Sequence, residues 1–184
     1  MKGPLAAVLV GGILLTGSRA RAQESVAKAA PDDRGLRAEV AAGGGVRTLF
    51  GLDIWGENVA LRVGGQIPHR VGGYLEASYF NGSTPAGLTT QVVSLGALVD
   101  VRVLEGLHLG CGYEGVNFDL ARAPGHSGII STWGLGLLAF ARYDLFQAVR
   151  YAVFLEARGD YMSLDTFHNP AAMSGATLLA GVHF

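Results

Sequence analysis

An all-β fold, with eight antiparallel strands closed into an up-and-down transmembrane barrel with short periplasmic turns, is what this sequence predicts. Three observations carry the prediction. Apolar and polar residues alternate through eight stretches between Leu36 and Phe184, the period of two that sends successive strand side chains to opposite faces. Within those stretches every charge falls on the same side of the alternation, which leaves the other side continuously apolar. The composition agrees, with 49% hydrophobic and 16% charged residues. No window reaches about 18 uninterrupted apolar residues, so the chain is apolar in bulk without a spanning helix.

The N-terminus reads as an export signal. Lys2 gives a basic start, Leu5 to Leu15 an apolar core, and Ala20-Arg21-Ala22 a small-x-small cleavage pattern with Gln23 as the mature start. Residues 1–22 are therefore expected to be a signal peptide, and 23–35, polar and without periodicity, a short periplasmic tail. The barrel is expected over 36–184. Cleavage removes Lys2, Arg19 and Arg21, leaving eleven basic against 15 acidic residues and a net charge of about −4, with no electrostatic footprint for nucleic acid. Cys111 is the one cysteine. It allows no intramolecular disulfide, and on the apolar face it reads as a small hydrophobe.

Each strand follows from its alternation. The first, about Leu36 to Arg47, sets Leu36, Val40 and Val46 against Arg37, Glu39 and Arg47. Asn58 to Ile67 sets Val59, Leu61 and Val63 against Asn58, Arg62 and Gln66. Arg70 to Phe80 sets Val71, Leu75 and Tyr79 against Tyr74, Glu76 and Ser78. Leu88 to Val103 sets Val93, Leu95 and Val99 against Ser94, Asp100 and Arg102. Leu107 to Phe118 sets Leu109, Cys111 and Tyr113 against His108, Glu114 and Phe118. Ile129 to Asp144 sets Trp133, Leu135 and Tyr143 against Thr132, Arg142 and Asp144. Tyr151 to Met162 sets Val153, Leu155 and Tyr161 against Glu156, Arg158 and Asp160. The last, Ser174 to Phe184, sets Leu178, Val182 and Phe184 against Thr177, Leu179 and His183.

Connections alternate between tight (Pro68-His69, Leu104 to Gly106, Leu145 to Arg150) and longer (Thr48 to Glu57, Asn81 to Gly87, Asp119 to Gly128, Ser163 to Ala171). Short periplasmic turns and longer outer loops are the barrel pattern. Aromatics cluster at strand ends on the apolar face: Tyr79, Trp133 and Tyr161 toward the outer interface, Tyr143, Tyr151 and Phe184 toward the periplasmic one, as two girdles. Of 184 residues 28 are glycine, about twice ordinary usage. Gly43, Gly64, Gly96, Gly112, Gly136 and Gly181 take the inward face, where a narrow barrel needs room.

The inward charges expected near mid-depth are Arg62, Glu76, Glu114, Glu156 and Arg158, with Glu39, Asp100, Arg142 and Asp160 nearer the ends. Enclosed charges are costly unless paired, so a salt-bridged plug is expected. Phe50, Leu52, Ile54 and Trp55 form an apolar cluster in the first outer stretch, a candidate contact patch or a strand extension reaching the membrane interface. His126-Ser127 beside Asp119 is the loop grouping closest to nucleophilic chemistry, but adjacent residues on an extended chain point apart and form no hydrogen-bonded pair; His168 beside Asp165 offers two candidate ligands, too few for a metal. No cofactor motif is present, because each GxG lies within a strand instead of opening a helix.

The alternating final strand ending on Phe184 resembles the C-terminal strand of bacterial outer-membrane barrels, which the barrel-insertion machinery reads. The whole of 36–184 is similar to the small eight-stranded barrels of the OmpA/OmpX/Ail type. That resemblance implies a plugged polar interior, a monomer surrounded by outer-membrane lipid in a Gram-negative bacterium, no enzymatic activity, and a structural or surface-interaction role through the outer loops. Two readings from other classes stay open. A soluble exported barrel binding a small apolar ligand, as lipocalins do, would turn the apolar face inward. A lipid A-modifying barrel enzyme would need outward-facing Ser, His and acidic groups.

Overall fold

The computed structural model describes residues 35–67, 70–121, 130–148, 150–165 and 170–184. Eight strands follow in order: β1 (Leu36–Leu49), β2 (Leu52–Ile67), β3 (Val71–Ser83), β4 (Thr89–Leu104), β5 (Leu107–Ala121), β6 (Ile130–Gln147), β7 (Ala152–Asp165) and β8 (Pro170–His183). Each pairs antiparallel with its neighbours in sequence, and β8 pairs back onto β1, so the sheet closes into a barrel without edges. The seam is secured at its end by two bonds. Phe184 N–H donates to Ala38 O at 2.9 Å, and Ala38 N–H donates to Phe184 O at 3.3 Å.

Register fixes the tilt. Paired residues followed once around the barrel run Glu39, Arg62, Glu76, Gly96, Glu114, Gly136, Met162, Met173 and back to β1 at Leu49. The path returns ten residues beyond its start. With a rise of about 3.3 Å per residue and about 4.8 Å between strands, eight strands with that stagger tilt by about 40°. Each step across a hydrogen-bonded pair therefore climbs the barrel axis by roughly 3 Å.

The end carrying Leu36 and Phe184 is the near end, and the opposite end the far end. At the far end β1 and β2 are joined by Phe50-Gly51 alone, both in the left-handed region (φ 52° and 76°), as a two-residue type I′ hairpin requires. This corrects the expectation of a long connection over 48–57. Pairing continues to Leu49 opposite Leu52, and Leu52, Ile54 and Trp55 are strand residues. At the next far-end connection, Thr84 closes the β3–β4 turn: its carbonyl accepts from Gly87 N–H at 3.0 Å, and its hydroxyl accepts from Leu88 N–H at 3.2 Å. At the near end Glu105-Gly106 turns β4 into β5 beside an irregular pairing at Arg102 and Leu104. The expected signal peptide (1–22), the tail up to residue 34, Pro68-His69, His126-Ser127 and His168 lie outside the described residues.

Candidate functional site

The outer wall is apolar and the charges are inside. Leu75, Leu95, Tyr113, Trp133, Leu135 and Leu178 are each at least 60% exposed, whereas Glu39, Arg62, Glu76, Asp100, Glu114, Arg142, Glu156 and Arg158 are all buried at 5% or less. A soluble ligand-carrying barrel needs the reverse, and this distribution rules that reading out for the described wall. The aromatic residues expected as girdles (Tyr79, Trp133, Tyr143, Tyr151, Tyr161 and Phe184) all face outward and are exposed. Trp55 and Phe146 join them, Phe146 lying 6.1 Å from Tyr151 between ring centroids at the near end.

Inside, four of the five residues singled out from the sequence meet in one network. Arg62, from β2, donates through Nη1 and Nη2 to Glu156 of β7, both at 2.6 Å, and through Nε to Glu76 of β3 at 2.5 Å. Arg158 forms the same fork onto Glu76, at 2.7 and 2.6 Å, and reaches Glu156 at 3.1 Å. Two further members come from positions expected nearer the ends: Arg142 of β6 donates to Glu39 of β1 at 2.6 Å, and Arg62 lies 3.5 Å from the same carboxylate. Three guanidiniums therefore face three carboxylates, mostly at charge-assisted distances. An aromatic shelf lies against this layer, with Arg62 over Phe140 at 5.0 Å and Arg142 over Phe154 at 4.8 Å.

Glu114 stands apart from the network it was expected to join. Its Oε1 has no hydrogen-bond partner among the described residues, and the same holds for the Asn58 amide and for Thr177 Oγ1. Arg47 and Asp160 pair nearby at 3.4 Å, and the Arg47 guanidinium packs over Phe80 at 4.6 Å. Beyond them the far half of the lumen is mainly apolar, with Thr84, Thr90 and Thr132 as its buried polar side chains, which corrects the expectation of a polar interior throughout. Leu49, Ile54, Phe80, Val92, Val116, Phe118, Met162, Leu164, Ala171 and Met173 form one buried cluster drawn from every strand but β6. There β6 brings Gly134, where an added Cβ would sit 2.9 Å from a Leu164 methyl; it supplies space instead of bulk.

At the near mouth, His108 Nδ1 lies 3.0 Å from Asp100 Oδ2 and its Nε2 3.8 Å from Asp144 Oδ2. Among the described residues, no group of three or more His, Cys, Asp or Glu is placed to hold a metal ion.

The apolar cluster of the first hairpin divides. Phe50, Leu52 and Trp55 are half or more exposed, whereas Ile54 is buried at 2% within the far-end cluster. Ile54 is therefore a core residue and not part of a contact patch, because residues 54 and 55 of a strand face opposite sides. Missed from the sequence were two acidic side chains, Asp53 and Glu57, both exposed on the β2 extension near the far end; Asp119 and Asp165, expected in loops, lie on the ends of β5 and β7. The Asp53 carboxylate accepts a bond from Thr48 Oγ1 at 2.7 Å across the hairpin.

Among solved structures the chain is similar to Neisserial surface protein A, with a TM-score of 0.59 and 14% identity over 80% of this chain and 95% of that one. It is also similar to Ail, the attachment invasion locus protein of Yersinia pestis, with a TM-score of 0.52 and 16% identity over 82% of this chain and 99% of that one. The fold is that of the small eight-stranded outer-membrane β-barrels. No protein-family model and no curated protein sequence matches the chain.

Proposed function

We propose that this small barrel spans the outer membrane of a Gram-negative bacterium as a monomer, closed to passage, without enzymatic activity, and that it acts structurally and through its far-end surface. The carrying observation is the inversion of faces: an exposed apolar wall bounded by aromatic residues encloses a buried network of charges. A 14-residue strand such as β7, tilted by about 40°, rises roughly 35 Å, enough to cross a hydrocarbon core of about 25–30 Å. Lipid as the solvent of that wall accounts for its exposed leucines. The β8 strand, through Phe184, is the segment that the insertion machinery would engage.

Closure is supported by two successive layers, the ion-paired network and the apolar far half, each crossing the lumen. The same enclosure supports a non-enzymatic role, since the paired carboxylates and guanidiniums have no path to a substrate. What remains for interaction is the far rim, where Phe50, Leu52 and Trp55 stand exposed beside Asp53 and Glu57.

The test is extraction with and without detergent, followed by gel mobility with and without boiling and by planar-bilayer recording. Detergent-dependent solubility, a mobility shift on boiling and no conductance steps are expected. Release without detergent would overturn the membrane reading, and regular steps would overturn closure. For the rim, Trp55→Ala is expected to keep the mobility shift and to lower binding to host-cell or bacterial surfaces; unchanged binding would remove Trp55 from the role.

A further inference from the structure

Between the ion-paired network and the apolar far half lies a thin polar layer. Followed along the ladders that fix the tilt, Asn58, Ser78, Ser94, Glu114, Asp160 and Thr177 come within about 3 Å of one level on the barrel axis. They belong to six different strands, and all are buried at 6% or less. Three of them lean over glycines. Glu114 Oε1 lies 2.9 Å from where a Cβ would stand at Gly136, Asp160 Oδ2 3.0 Å from one at Gly175, and Thr177 Oγ1 2.7 Å from one at Gly45.

This layer is where the charge of the lumen fails to balance. Among the described residues the interior buries four guanidiniums, of Arg47, Arg62, Arg142 and Arg158, against six carboxylates, of Glu39, Glu76, Asp100, Glu114, Glu156 and Asp160. Asp100 has His108 beside it at 3.0 Å. Of the six, Glu114 alone lacks an ion pair among the described residues. Arg47, a guanidinium near it, pairs instead with Asp160 at 3.4 Å and directs Nη1 to the Met162 sulfur at 3.8 Å, toward the apolar half. An enclosed, uncompensated charge is costly. Five oxygens of the layer also have no hydrogen-bond partner among the described residues: Glu114 Oε1, Asp160 Oδ1 and Oδ2, Asn58 Oδ1 and Thr177 Oγ1.

We propose that this layer binds one alkali-metal cation, with Glu114 and Asp160 as charged ligands and Asn58 and Thr177 as neutral ones. Water would satisfy the oxygens but not the charge. A proton on Glu114 would cancel the charge, but one O–H serves only one of the remaining oxygens. A small hard cation does both, because it takes several oxygen ligands at once. The charge of the layer, two carboxylates against Arg47, leaves an excess of one, which fits a monovalent ion. A divalent ion asks for more acidic or imidazole ligands, and no third is placed here among the described residues.

The test uses the full chain, refolded in detergent at fixed ionic strength while choline chloride is replaced stepwise by sodium, potassium or rubidium chloride. The urea midpoint is expected to rise with the logarithm of the alkali concentration, by roughly 0.7 M per tenfold once the site saturates. Crystals grown in rubidium chloride are expected to show an anomalous peak beside Glu114 and Asp160. Thr177→Val and Asn58→Leu remove oxygens without changing charge and should move the onset of the rise to at least tenfold higher cation. Glu114→Gln should abolish both the rise and the peak, whereas Asp53→Asn, on the outer wall, should keep them. Heat-dependent gel mobility of each preparation confirms a folded barrel. A wild-type midpoint that is the same in choline and in every alkali salt, with no peak, overturns the proposal. So does a midpoint that responds to pH alone, which would assign the compensating charge to a proton on Glu114. An alkali dependence kept in full by Glu114→Gln overturns it as well.

Discussion

Replacing Arg62 by Met tests the lumen network at its hub. Arg62 is 2% exposed and reaches three carboxylates, those of Glu76, Glu156 and Glu39. Without it the layer holds three carboxylates against two guanidiniums. Glu76 keeps the Arg158 fork and Glu39 keeps Arg142, but Glu156 is left with longer contacts, 3.1 Å to Arg158 and 3.8 Å to Arg142. Removing one partner of a buried pair typically costs about 3–5 kcal/mol, because the remaining charge is enclosed and uncompensated. At a denaturant slope of about 2 kcal/mol per M, the urea midpoint should fall by roughly 2 M. Unfolding of the refolded barrel, followed by tryptophan emission and by gel mobility, measures it. Adding Glu156→Gln restores the balance of charge, so the double variant should recover a substantial part of the loss. A single-variant cost below about 1 kcal/mol, or a double variant as unstable as the single, would refute the reasoning.

Three further outcomes follow from packing and backbone geometry. Gly43→Ala forces a Cβ to 1.9 Å from Leu178 O and should cost at least about 2 kcal/mol; Gly159→Ala should cost below about 0.5 kcal/mol, both read as urea midpoints. Phe118→Ala empties part of the far-end cluster, in which Phe118 is 1% exposed, and should cost about 3–5 kcal/mol in the same assay. Phe50→Asn replaces a bulky residue at φ 52° with one that tolerates the left-handed region, and should raise the unfolding midpoint by the equivalent of about 0.5–1 kcal/mol.

The faces were legible because alternation is local: one-residue parity decides whether Glu76 or Leu75 enters the lumen, and no register is needed. Depth was not legible. Glu39 and Arg142 read as end positions along their own strands, yet the ten-residue stagger lifts neighbouring strands past one another and brings both beside Arg62. Glu114 was displaced from the network by the same climb. The first hairpin was missed because Phe50-Gly51 lacks the usual Asn-Gly signature, and because Asp53 and Glu57 put charge on the outward face and broke the pattern. The apolar far half was partly visible, since Phe118 already stood on the charge-bearing side of β5. Only closure showed that Phe80, Met162 and Met173 converge with it. That Cys111, Ala139 and Gly159 stand side by side could not be read from spacing, because they become neighbours only through the pairing of three strands.

Three partnerships of the lumen network span long stretches of chain: Arg62 and Glu156 are 94 residues apart, Glu39 and Arg142 103, Glu76 and Arg158 82. Arg62 and Glu76, 14 residues apart, already meet within the β2–β3 hairpin, but no hairpin or half-barrel contains the complete network. A sheet ending at β6 would hold Arg62, Glu76, Glu39 and Arg142 while lacking Glu156 and Arg158, with its charges on the face that has not yet been enclosed. Contacts of such long range delay the free-energy gain until late in assembly. The network therefore acts on the order of events: it withholds the forks between β2 or β3 and β7, and the β1–β6 bond, from every partly zipped sheet and releases them when β8 meets β1, so that the last seam to form is also the step after which the barrel no longer readily reopens.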